Sequence, residues 1–266
     1  MKPVEVTRGD GPLVLGLPHT GTHVPPDVGA VLNPRGLELA DADWHIERLY
    51  DGLLPDVTMV RATFHRYVID ANRDPQGASL YPGQNTTGLV PLTDFDGRGI
   101  WRIPPAPGEV ERRRRAFHAP YHAALTAEME RVTALHGVAI LYDCHSIRSR
   151  IPFLFAGVLP DFSVGTNGGT TCAPGIEKAV FDICAKARGH TAVLNGRFKG
   201  GWTTRHHGRP DQNRHAIQME LAQSTYLTAE AAPWTYDAGK AAELRRHLAG
   251  ILTTLAALAP QLGKAK

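Results

Sequence analysis

Cysteine is scarce in this chain: Cys144, Cys172 and Cys184 are three among 266 residues, odd in number and far apart. That spacing fits neither a disulfide framework nor a cysteine-based zinc site, so the three read as reduced residues of core or loop. Charge of one sign is hardly in excess, because 29 Lys and Arg face 26 Asp and Glu for a net +3 at pH 7. Three charges are too few to argue for a nucleic-acid partner, and the one dense basic run, 112–115, reads as the solvated face of a helix. Long apolar runs are missing as well. No window approaches the ~18 apolar residues that span a bilayer, and the start, MKPVEVTRGDGP, lacks a signal peptide's apolar stretch. The expectation is a cytoplasmic protein with neither membrane nor nucleic acid as partner. Internal repeats and low-complexity linkers are also lacking, and the length suits one large domain, 1–266.

What is present is an ordinary globular composition, 42% hydrophobic and 21% charged, with thirteen histidines. Short apolar runs bounded by turn residues predict buried strands at 13–17, 57–60, 138–142, 152–158, 191–194 and 217–221. Helical periodicity predicts helices at about 40–54, 107–135, 174–187 and 237–258. The second of these is the clearest, carrying Val110, Phe117, Tyr121, Leu125, Met129 and Val132 at spacings of three, four or seven. Strands separated by such helices predict an α/β fold with a mixed, largely parallel sheet covered on both faces. Two stretches, 74–107 and 161–171, read as loops. In such folds the ligand crevice lies at the carboxyl ends of the strands, so reactive residues there carry the most weight.

The first strand ends in LPHTGTH, which puts His19 just beyond a buried run. His23, followed by Pro25 and Pro26, cannot form the helical pair of a metalloprotease helix with it. A central strand ends in ILYDCHS and carries His145. Neutral imidazoles on rigid supports are the usual ligands of catalytic zinc, which keeps three protein ligands and one open position. The third ligand is sought in DADWHIERLYD, among Asp41, Asp43 and Glu47. Asp41 reads as a helix N-cap, which leaves Asp43 to point into the crevice. VIDANRDP places Asn72 and Arg73 after a short strand, where an arginine fork and an amide suit a carboxylate. Glu220 interrupts the apolar strand in MELAQSTY, where a carboxylate is expensive unless paired or used. A buried carboxylate beside a metal meets the needs of a water-activating base. At each position the bland alternative is a turn histidine, a helix-end aspartate, a loop arginine or a structural ion pair.

The chain order of His after the first strand, Asn-Arg, His after a central strand and Glu on a late strand resembles the zinc carboxypeptidase and aspartoacylase superfamily. The local wording, PHTG, DADWHIERLYD, VIDANRDP, ILYDCHSIRS and LPDFSVGT, is similar to the N-formylglutamate amidohydrolase family over nearly the whole chain. The resemblance implies a phosphorylase/hydrolase-like α/β fold and hydrolysis of N-formyl-L-glutamate to formate and L-glutamate in histidine degradation. One departure stands out: carboxypeptidases have a glutamate three residues after the first histidine, and here that place is Thr22. Asp43 is the acidic ligand chosen by chemistry in its stead.

On this reading His19, Asp43 and His145 hold a divalent ion, zinc or another such as cobalt. Glu220 takes the proton of water and delivers it to the leaving nitrogen. Arg73, helped by Asn72, binds one carboxylate of a small acidic N-acyl amino acid. A second cation is needed for the other, with Arg148 and Arg205 as candidates, and His206 or His207 is a candidate oxyanion partner. The rivals are an amidase for another acyl group, such as acetyl or succinyl, and a non-catalytic carboxylate-binding protein. Loss of Glu220 or of a histidine ligand would mark the latter, and neither is lost.

Overall fold

The structure is a computed structural model that describes residues 1–263. Among the described residues seven strands form one sheet: β1 (Val4–Thr7), β2 (Leu13–Leu17), β3 (Thr58–Ala62), β4 (Ala139–Ile147), β5 (Phe162–Gly165), β6 (Ala192–Leu194) and β7 (Arg214–Ala222). Their order is β1-β3-β2-β4-β7-β5-β6. The pairs β2/β3, β2/β4, β4/β7 and β5/β6 are parallel, whereas β1/β3 and β5/β7 are antiparallel, giving the mixed, largely parallel sheet expected. The helices are α1 (Pro26–Gly29), α2 (Pro34–Leu37), α3 (Ile46–Tyr50), α4 (Pro107–Arg113), α5 (Ala119–His136), α6 (Pro174–Lys186), α7 (Trp202–His207) and α8 (Ala238–Leu262).

Each face of the sheet has its own core. Leu13, Leu15, Ile140, Tyr142, Ile217 and Met219 pack with residues of α3, α6 and α8, while Val14, Leu141 and Ala216 pack with Tyr121, Leu125 and Met129 of α5. Side chains alternate along a strand, so Asp143 and His145 fall on the α5 face with Leu141, and Gln218 and Glu220 fall there with Ala216. This face is apolar where α5 covers it and polar toward the carboxyl ends of β4 and β7. The polar stretch is the crevice. It lies where the strand order reverses, with β3 on one side of β2 and β4 on the other.

Several elements depart from expectation for local reasons. Residues 152–158 form turns, with the Leu154 and Phe155 N–H groups both donating to the Ile151 carbonyl. The strand lies instead inside the presumed loop 161–171, because Phe162 and Val164 pair across from Leu221 and Met219. Residues 40–54 are helical only at Ile46–Tyr50, since His45 takes a left-handed φ of 61° at the helix entrance. Between α4 and α5 a π turn, Arg114–His118, precedes Pro120. A proline ring clashes with the carbonyl four residues back, and a widened turn accommodates it.

Candidate active site

The turn after β2 folds back on Thr63: the His23 N–H donates to the Thr63 carbonyl, and a Cβ on Gly21 would lie 2.2 Å from that carbonyl carbon. Only glycine permits this approach, and it fixes the backbone that presents His19. His145 is not past the end of its strand but within it, because β4 stays paired with β7 over nine residues. The register sets His145 beside Glu220. Asp43 arrives from the loop before α3, where its N–H donates to the His19 carbonyl at 3.0 Å.

His19, Asp43 and His145 are all buried, at 2%, 1% and 2% exposure, and one ligand atom of each lies within 4.8 Å of the others. Their second contacts are as telling as the first. Asp43 Oδ2 lies 3.2 Å from His145 Nδ1 and 3.6 Å from His19 Nδ1. Of the far nitrogens, His19 Nε2 is hydrogen-bonded to Asp70 Oδ1 at 2.7 Å, whereas His145 Nε2 has Asp143 Oδ1 3.1 Å away without hydrogen-bond geometry. A carboxylate on one imidazole nitrogen fixes the tautomer and aims the other nitrogen's lone pair, the usual support of a metal-binding histidine. His19 Nδ1 is buried with no hydrogen-bond partner. His145 Nδ1 has only Asp43 as partner, and two imidazole nitrogens converging on one carboxylate suit a divalent ion of the zinc type in donor chemistry and in spacing. Burial raises Asp43, but His19 and His145 outweigh it and keep this carboxyl well below the usual range. For Asp70, likewise, Arg66 and Arg73 outweigh burial.

Glu220 is buried and accepts from Gln218 Nε2 at 3.1 Å. Burial, reinforced by the charges of Asp43 and Asp143, pushes its pKa up to about 8. Asn72 lies with its amide 3.2 Å from His145 Nε2, accepts from the Thr203 N–H and packs so closely on Gly201 that a Cβ there would meet it at 2.2 Å. Arg73 donates to the Asn72 carbonyl and to the Thr87 carbonyl and hydroxyl.

His19, Asp43, Asn72, Arg73, His145 and Glu220 all line one cavity. Arg148 and Arg205 do not reach it. Arg148 pairs with Asp96 and borders a neighbouring cavity, and Arg205 donates to the Gly200 and Leu80 carbonyls. His206 stacks on Trp202 and His207 meets His122, so neither stands at the cavity as an oxyanion partner. Asp41 is no N-cap; it accepts from the Tyr67 hydroxyl and the Phe95 N–H, because the helix begins five residues later. Asp70, Asp143, Arg66 and Arg197 were missed. The two aspartates had a signal, since each closes an apolar run, VID and LYD, as anomalously as Glu220 interrupts one.

Comparison with known proteins gives a consistent picture. The model of the N-formylglutamate amidohydrolase family matches residues 11–227. An N-formylglutamate deformylase of Pseudomonas aeruginosa is 45% identical over 253 residues, 94% of either chain, and one of Pseudomonas putida is 44% identical over 86% of either. The crystal structure of an N-formylglutamate amidohydrolase from Ralstonia eutropha superposes with a TM-score of 0.80 at 29% identity, covering 98% of this chain and 99% of that one. A gene product of Agrobacterium tumefaciens shares the fold alone, at TM-score 0.72 and 18% identity over 96% of each chain.

Proposed function

Because the chain belongs to the N-formylglutamate amidohydrolase family, we propose that it hydrolyses N-formyl-L-glutamate to formate and L-glutamate with a divalent ion, zinc by preference, held by His19, Asp43 and His145. The observation that carries the metal reading is the pair of buried imidazoles whose Nδ1 atoms converge on the Asp43 carboxylate, with Asp70 bonded behind His19. Such an ion polarises a carbonyl and brings the pKa of a water from 15.7 to about 7.

The protein's own groups do the rest. Glu220, set beside His145 across β4 and β7, accepts the proton of the attacking water as its carboxylate and returns it to the leaving nitrogen. Arg73 retains unused donors after its bonds to Thr87 and Asn72, and these hold a substrate carboxylate. Asn72 steadies that wall of the cavity through Thr203 and Gly201. One sheet, at whose edge all of these groups gather around one cavity, supports a single catalytic domain over 1–266. Three free, buried cysteines accord with a cytoplasmic location, where thiols stay reduced.

The test is a panel of formyl, acetyl and succinyl amino acids assayed on chelated enzyme with zinc or cobalt added back. Formylglutamate is expected to be the best substrate and only metal-replete enzyme to be active. Full activity in protein shown metal-free by elemental analysis defeats the metal, and a better rate with another acyl group defeats the substrate.

A further inference from the structure

A guanidinium nitrogen buried without a partner is costly, and such a group in a cavity marks where a ligand's charge is wanted. Three arginines line this cavity, and two are compensated. Arg66 donates to Asp70 Oδ2 at 2.8 Å and Arg73 stands 3.7 Å from the same carboxylate. Arg197, in the turn after β6, is different. Its Nε donates to the Leu154 carbonyl at 3.1 Å and its Nη2 to the Asn85 carbonyl at 2.8 Å, so neutral backbone groups from two other loops fix the guanidinium. Its plane lies 5.0 Å from the Tyr81 ring and 5.3 Å from the Phe198 ring. The side chain as a whole is half-buried, but its Nη1 is buried with no hydrogen-bond partner, and among the described residues no carboxylate lies in ion-pair range of it.

We propose that Arg197 is the specificity-determining residue that receives the side-chain carboxylate of the substrate, the position for which Arg148 and Arg205 stand too far away. The assignment of carboxylates follows from the walls. Arg73 adjoins Asn72, whose amide is 3.2 Å from His145, so it faces the carboxylate next to the scissile amide. Arg197 sits among Tyr81, Leu154 and Phe198 on the wall built by loops, where a carboxylate two methylenes further out arrives. This inference rests on the amidohydrolase reading, and it adds which group tells an acidic side chain from a neutral one of equal size.

The experiment compares N-formyl-L-glutamate with N-formyl-L-glutamine on zinc-loaded wild type and Arg197→Met. Wild type is expected to prefer the diacid, and the variant to lose on the order of 10² of that preference in kcat/KM, since truncating a desolvated charged hydrogen bond has effects of this size. Should the Met variant fail to fold, Arg197→Lys is read instead. It keeps the charge without the planar fork, and its preference is expected to fall at least about tenfold. An unchanged preference, or equal losses for both substrates, overturns the proposal. Wild type that cleaves neither compound defeats the parent reading instead. In that case calorimetric titration of glutarate and its monoamide decides, with at least tenfold weaker glutarate binding in the variant expected and equal binding overturning the idea.

Discussion

At the scale of single residues, Asp43 and Glu220 are two buried carboxylates with opposite duties, and substitution separates them. Glu220→Gln is expected to keep metal and fold while kcat falls by roughly 10² to 10⁴, as for loss of a general base. Asp43→Asn is expected to lose metal affinity along with rate. Metal stoichiometry and single-turnover rate on both variants check this, and a metal-free Glu220→Gln beside a metal-replete Asp43→Asn would mean the roles are exchanged. Arg73→Ala is expected to cut kcat/KM for the diacid by on the order of 10² with normal metal content, and a wild-type rate there would remove Arg73 from the substrate. Glu220 also gives the chelated protein a pH dependence. Its pKa is raised by burial from 4.5 to about 8, so the neutral carboxyl favours the fold fully below pH 4.5, and this contribution is lost as pH rises through 8. Across that window the melting temperature of chelated wild type should fall relative to chelated Glu220→Gln; parallel curves would show that Glu220 does not titrate there. That His145 and Glu220 share one cavity was legible because polar groups on apolar strands stand out, and His19 because it closes such a run; Asp43, in a loop, had only its chemistry to mark it. Arg197 was not legible, because the partners that fix it, Asn85 and Leu154, lie 112 and 43 residues away in sequence.

Among the elements, α5 and the π turn that leads into it do more than cover the sheet. His118 Nε2, at the end of the π turn, donates to the Arg73 carbonyl at 3.0 Å and His122 Nε2, in α5, donates to the Ala71 carbonyl at 2.7 Å, so the two grip the backbone on both sides of Asn72. His122 Nδ1 then accepts from His207 Nε2 at 3.1 Å, a relay of neutral imidazoles whose pKa values burial depresses. Replacing His122 by Phe leaves the Ala71 carbonyl and His207 unsatisfied, at a cost of ~1–3 kcal/mol for each such group. A lower melting temperature and a raised KM with full metal content are expected; unchanged values of both would show that the grip is dispensable. The helix itself was plain from its periodicity, and β2, β3, β4, β6 and β7 were plain from their short apolar runs. The antiparallel β5 was hidden because four residues inside a Gly- and Thr-rich stretch carry no period, and its pairing with β7 is a tertiary fact. Asp41 was misread for a related reason: an aspartate ahead of an apolar run has the composition of a helix start whether or not the helix begins there.

For the whole molecule, the candidate metal site draws three separate segments together, since Asp43 enters before α3, His19 follows β2 and His145 lies in β4. An ion that binds this arrangement and not the unfolded chain stabilises it by about 4 kcal/mol at a thousand times its dissociation constant. Calorimetric melting should therefore shift upward with zinc and fall back on chelation, and His19→Ala should abolish the shift; a zinc-independent melting temperature in wild type would place the ion elsewhere. The pairing of His145 with Glu220 across β4 and β7 carries a different consequence. Their backbones stand one interstrand spacing apart, about 4.8 Å, a repeat distance of the sheet rather than an accident of loop conformation. Segments 74–106 and 195–201 can therefore be lengthened, shortened or recharged while that spacing keeps its value. On this geometry a change of substrate and a change of proton transfer fall to different parts of the chain, the first to the rim segments and the second, if Glu220 is the base, to two paired strands.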